Sequence, residues 1–141
     1  MGSFPKHLIF ILMVVALSVL LTDIHPCEGR QEDQSPQRII LQNGLANSAK
    51  LTVRCWRRDN KSDLGTHVVA PGRSYEFRFR LNKTLNVAIY ACSFRWPPKR
   101  SEQFDVYDQL VDLNQGKLLT WNITNSGPCL VVPRGECLHW D

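Results

Sequence analysis

The stretch DNKSDLGTH at residues 59–67 gathers Asp59, Ser62, Asp63 and His67, the residue types from which hydrolases assemble a nucleophile, a base and an orienting carboxylate. A serine nucleophile of that kind sits on a sharp Gly-x-Ser-x-Gly elbow, and nothing around Ser62 has this form. Asp, Asn, Ser and Gly are equally the residues of turns, because their short polar side chains bond the local backbone. The stretch therefore reads as a loop ending in Leu64-Gly65, not as a catalytic centre. A secreted nuclease could work with two histidines, but neither His67 nor His139 lies in a recognisable nuclease motif. No cluster of His, Cys and carboxylates has zinc-ligand spacing, and no glycine loop could cradle phosphate. The expected mode of action is binding, with no cofactor, no metal and no nucleic-acid partner.

The elements that would display such a loop begin with a leader. Lys6 and His7 precede an apolar run at residues 8–21 that only Ser18 interrupts. A spanning helix needs about 20 apolar residues, so the run fits the centre of a secretory signal peptide. Small residues at Cys27 and Gly29 set the expected cut after residue 29, so 1–29 is a cleaved leader, 30–37 a loose polar arm and 38–141 one domain. Cleavage leaves Cys55, Cys92, Cys129 and Cys137, which in an exported domain predict two disulfides, with three connectivities open. Three glycosylation sequons, at Asn60, Asn82 and Asn122, suit the same compartment.

Within the domain, apolar residues recur with period two between Gly, Pro, Asn and Asp. In SYEFRFRL, Tyr75, Phe77, Phe79 and Leu81 alternate with Glu76, Arg78 and Arg80, and in LTVRCW, Arg54 and Trp56 face away from Leu51, Val53 and Cys55. Further strands are expected at 38–42, 65–69, 86–94, 102–107, 117–123 and 129–132. The predicted fold is all-β, a small disulfide-linked antiparallel sandwich of about eight strands. Trp96 and Trp121 are expected in its core, and Asn122 on a solvent-facing side of its strand.

Charge is unevenly spread. Residues 54–100 hold eleven basic and three acidic side chains, and residues 101–141 two basic and six acidic. Such asymmetry favours an acidic extracellular partner, such as a receptor patch, a pectin-like wall polymer or an anionic membrane, and speeds encounter with it more than it fixes its identity. Exposed aromatic and Arg side chains together suit recognition, which singles out Trp56, Arg57, Arg58, Asp59, Lys61 and Asp63, then Arg95, Lys99 and Arg100 in a second loop. The same features would serve a wall-polysaccharide binder or an inhibitor of a secreted enzyme.

From Cys55 to Phe79 the chain runs through a strand ending in Cys, an Asp-rich loop, Leu-Gly, His67, a short strand, Pro-Gly and an aromatic-alternating strand. IYACSFRW, FDVYD, Trp121-x-Ile123 and Gly127-Pro128-Cys129 follow in order. This succession resembles the plant self-incompatibility protein family, the S-protein homologues, from about Ile39 to Trp140. The resemblance implies an extracellular ligand in cell-to-cell recognition. The mature form is expected to be a monomer without a membrane span that meets an unidentified cell-surface receptor. Many relatives carry Cys-x-x-Cys just before the Trp, where this chain has Gly116 and Leu119. If that missing pair is bonded to itself, the resemblance implies Cys55 with Cys92 and Cys129 with Cys137.

Overall fold

The computed structural model describes residues 6–22, 35–81, 87–98 and 100–141, which fall into two units, one before residue 35 and one from Ser35 to Asp141. The described part of the first unit is helix α1, Lys6–Thr22, whose side chains from Leu8 to Val15 are apolar and exposed. None of the described helices is long and apolar enough to cross a membrane. The expected cut after residue 29 lies outside the described residues.

Among its described residues the second unit holds eight strands: β1 Gln37–Asn43, β2 Leu51–Arg57, β3 Asp63–Val69, β4 Ser74–Phe79, β5 Ile89–Trp96, β6 Arg100–Asp108, β7 Leu118–Ile123 and β8 Pro128–Val132. They form two four-stranded sheets, ordered β4-β1-β7-β8 and β3-β2-β5-β6. Strand β1 already begins within the expected arm, and its first residue, Gln37, is buried. The all-β architecture is the one the alternation predicts. One pairing departs from an antiparallel sandwich: β1 and β7 run parallel, with Ile39 beside Leu119 and Leu41 beside Trp121. Apolar alternation fixes which face of a strand is buried and leaves its direction free. A single short helix, α2 Gln109–Asp112, follows β6, with the Asp108 carboxylate capping it by accepting from the Leu110 N–H.

Alternate residues of each strand fill the space between the sheets: Ile39 and Leu41 of β1, Val53 and Cys55 of β2, Phe94 and Trp96 of β5, Leu119, Trp121 and Ile123 of β7. Asn43, at the end of β1, is a buried polar side chain whose hydrogen bonds are made. Its amide donates to the carbonyls of Ala49 at 2.8 Å and Val69 at 3.0 Å, and its oxygen accepts from the Leu45 N–H.

Disulfides join Cys55 to Cys92 and Cys129 to Cys137, the two pairs that the family pattern implies. The first links directly opposite residues of β2 and β5. The second ties β8 to the C-terminal tail, whose backbone runs alongside that edge through Gly135 N–H to Leu130 O and Leu138 N–H to Pro128 O. The tail lies so close that a Cβ on Gly127 would meet the Leu138 carbonyl oxygen at 1.8 Å, so only glycine fits there.

Candidate recognition face

The outward residues of β2, β3, β5 and β6 form one continuous face. Across the four strands the registers give a row Thr66, Arg54, Ser93, Gln103 and, two residues along β2, a row Val68, Thr52, Arg95, Ser101. Two shallow hollows lie on this face. One, of about 810 Å³, is lined by Arg54, Trp56, Arg58, Lys61, Asp63 and the Ser93–Gln103 pair. The other, of about 510 Å³, is lined by Lys50, Thr52, Val68, Arg95, Ser101 and the β5–β6 turn with Trp96, Pro97 and Arg100.

The loop that raised the question of catalysis is a turn. The Asn60 side chain accepts from the Ser62 N–H at 2.9 Å, and the Asp63 side chain accepts from the Gly65 N–H at 2.8 Å, where Gly65 takes a φ of +85°. His67 does not face Ser62. It lies on the inner side of β3, its ring stacked on Tyr75 at 4.1 Å with Nε2 against the Leu64 carbonyl at 3.0 Å. His139 is exposed in the tail.

The same loop is laced by ion pairs. Arg54 donates through Nε and Nη2 to one Asp63 oxygen, at 3.0 and 2.6 Å. These bonds, with the Gly65 N–H, hold the Asp63 carboxyl below its ordinary pKa. Arg57 donates to Asp59 at 2.6 Å, which likewise lowers the Asp59 pKa. Arg58 reaches across to Asp105 of β6 at 2.8 Å, and Arg100 pairs with Glu102 at 2.9 Å. All are solvent-accessible pairs that water screens, so an incoming carboxylate can displace Asp63 or Asp105 from its arginine at little cost.

Of the residues singled out in the sequence, Trp56, Arg58, Lys61 and Asp63 line the first hollow, and Arg95 and Arg100 the second. Arg57 and Asp59 bond each other and line neither, and Lys99 lies outside the described residues. The two loops stand at opposite ends of the sheet, because β5 runs antiparallel to β2. What joins them is the strand face between, Thr52, Arg54, Ser93 and Gln103, which a search confined to loops passes over. The signal for it was present: the alternation that turns Arg54 outward turns Thr52 outward too.

Residues 38–140 match the family model described as plant self-incompatibility protein S1. The chain belongs to that family. It is 28% identical to S-protein homolog 3 of Arabidopsis thaliana over 142 aligned positions, covering 94% of this chain and 88% of that protein. It is also 31% identical to S-protein homolog 2 of the same plant over 67% of this chain and 60% of that protein, and 26% identical to S-protein homolog 4 over 87% and 80%. No solved structure matches. In this S-protein homologue Leu119 is fully buried in the core, and Gly116 is exposed at a φ of +90°.

Proposed function

We propose that this S-protein homologue is exported, loses residues 1–29 and acts outside the cell as a ligand in cell-to-cell recognition, by binding and without catalysis. The single observation that carries the reading is the outer face of β3-β2-β5-β6, where Trp56 stands half-buried among Arg54, Arg58 and Lys61 in an open hollow. An accessible aromatic ringed by arginines is the composition that binding hot spots favour. Membership of the family, the apolar α1 and the two disulfides support export. Of the three sequons, Asn60 is the proposed glycan carrier, since it lies in the exposed turn. Asn122 is half-buried, with its side chain packed against Gly44, and Asn82 lies outside the described residues.

The test is binding of the labelled, glycosylated mature protein to cells of the tissue that adjoins its site of secretion. Arg54→Glu with Arg58→Glu is the informative variant, because both arginines are exposed whereas Arg57 is largely covered in its pair with Asp59. Saturable binding is expected to weaken at least tenfold with secretion and both disulfides intact. Binding that stays unchanged would move the site away from this hollow.

A further inference from the structure

We propose that the second hollow is a separate docking site for an acidic peptide segment, in which Arg95 and Lys50 take a carboxylate and Val68 takes the neighbouring apolar side chain. The proposal deepens the ligand reading by giving the partner a chemistry.

The two hollows differ in how their cations are used. In the first, Arg54 and Arg58 are already matched by Asp63 and Asp105, which leaves Lys61 as the excess charge. In the second, only Arg100 is matched, by Glu102, while Arg95 and Lys50 have no ion pair or hydrogen bond among the described residues. Two unmatched cations face one shallow hollow. A carboxylate bound there displaces no internal partner, so its Coulombic gain is not offset by a broken pair.

The neighbours of Arg95 point the same way. Thr52 of β2 and Ser101 of β6 are its direct cross-strand partners, about 5 Å away on either side. Their hydroxyls can donate to a carboxylate held on the guanidinium. Next in the row stands Val68, 65% exposed on the edge strand, an aliphatic surface with nothing packed over it among the described residues. Carboxylate and branched aliphatic group side by side is the chemistry of an Asp or Glu followed by Leu, Ile or Val.

A uronic-acid sugar would satisfy the cations but not the rest. A pyranose ring packs its C–H face on an accessible aromatic, and the aromatic of this hollow, Trp96, is only 5% exposed, with its ring against Trp140 at 5.9 Å. The accessible indole, Trp56, belongs to the other hollow.

The experiment is an NMR titration of the secreted protein with the blocked peptide Ser-Glu-Leu-Glu-Leu-Ser, beside its Gln-for-Glu counterpart and an oligogalacturonate of equal charge. The expected result is a saturable shift of the Thr52, Val68, Arg95 and Ser101 resonances by the acidic peptide. Lys50→Glu with Arg95→Glu should weaken it at least tenfold, and Lys50→Gln with Arg95→Gln should weaken it less. All these side chains are exposed, and circular dichroism of each variant checks the fold. No shift, an equal shift with the Gln peptide, or a shift with the oligogalacturonate in place of the peptide overturns the proposal. So does sedimentation showing a dimer that the Lys50 and Arg95 reversals dissociate, since a second copy would then cover the hollow. The titration uses no cells, so absence of wild-type cell binding would sink the ligand reading alone.

Discussion

At the scale of single residues, the outward charges of β1 and β4 meet across the strand boundary: Arg38 lies directly opposite Arg78. Glu76 stands between these like charges and accepts from Arg38 at 2.7 Å and from Arg78 at 3.0 Å. The two hydrogen bonds, Arg38 first, lower its pKa from 4.5 to about 2. A carboxylate whose pKa is depressed by folding adds stability above its unfolded value, and the contribution is lost as pH falls toward the folded value. Glu76→Gln is therefore expected to be less stable than wild type at pH 7, with the gap closing between pH 4.5 and about 2. Urea midpoints of both proteins across that range check it, and a gap that does not change with pH would show that the arginines are not what stabilises the charge. The carboxylate is exposed, so the effect is small.

At the scale of elements, every strand was found to within three residues at the ends that the structure describes, because each buries one face and leaves the other wet. The helix α2 leaves no such signal in the sequence: it is one turn long, its Leu110 and Val111 are exposed, and it has no apolar stripe to show a period. The parallel run of β1 beside β7 also lies beyond alternation, since the two strands are joined through most of the domain and not by a hairpin. The disulfides reinforce pairs of adjacent segments, β2 with β5 and β8 with the tail. In the chain-entropy model, closing the 37-residue separation of Cys55 and Cys92 stabilises by ~4 kcal/mol and the 8-residue separation of Cys129 and Cys137 by ~2.5 kcal/mol. Replacing each pair by alanine should lower the unfolding free energy in that order. The fully buried Cys55 and Cys92 should lose further stability through the space left behind. Denaturant curves in which the tail disulfide proves the more costly to remove would contradict the account.

At the scale of the whole molecule, neither disulfide connects the two sheets, so side-chain packing must. Aromatic rings meet across the gap along its length. Tyr75 stacks on His67, Phe79 meets Tyr90 at 4.3 Å and Tyr107 at 4.9 Å, and Phe104 meets Trp121 at 5.1 Å. The Trp121 indole also donates to the Val106 carbonyl at 2.9 Å, a hydrogen bond from one sheet to the other. That Trp96 and Trp121 are buried was legible from residue type, but the role of Trp140 was not, because it lies in a tail with no strand pattern. Its indole donates to the Thr124 carbonyl just beyond β7, while its ring packs within about 6 Å of Phe94, Trp96 and Phe104 on the other sheet. The tail residue thus clamps one end of the sandwich, and Cys129–Cys137 holds the tail in reach. Large-to-small changes at packed aromatics cost about 3–5 kcal/mol, and Trp140 is half-buried, so Trp140→Ala is expected near the lower end, about 3 kcal/mol. Trp56 lies on the outer face, away from the inter-sheet rings, and Trp56→Ala should cost under about 1 kcal/mol. Hydrogen exchange should distinguish a clamp from a loose end. Removing a clamp speeds exchange in β5 and β7 together, on both sheets, whereas fraying of a tail would speed it only beyond β8. A Trp140→Ala protein as stable as Trp56→Ala would mean that the two layers hold without the tail.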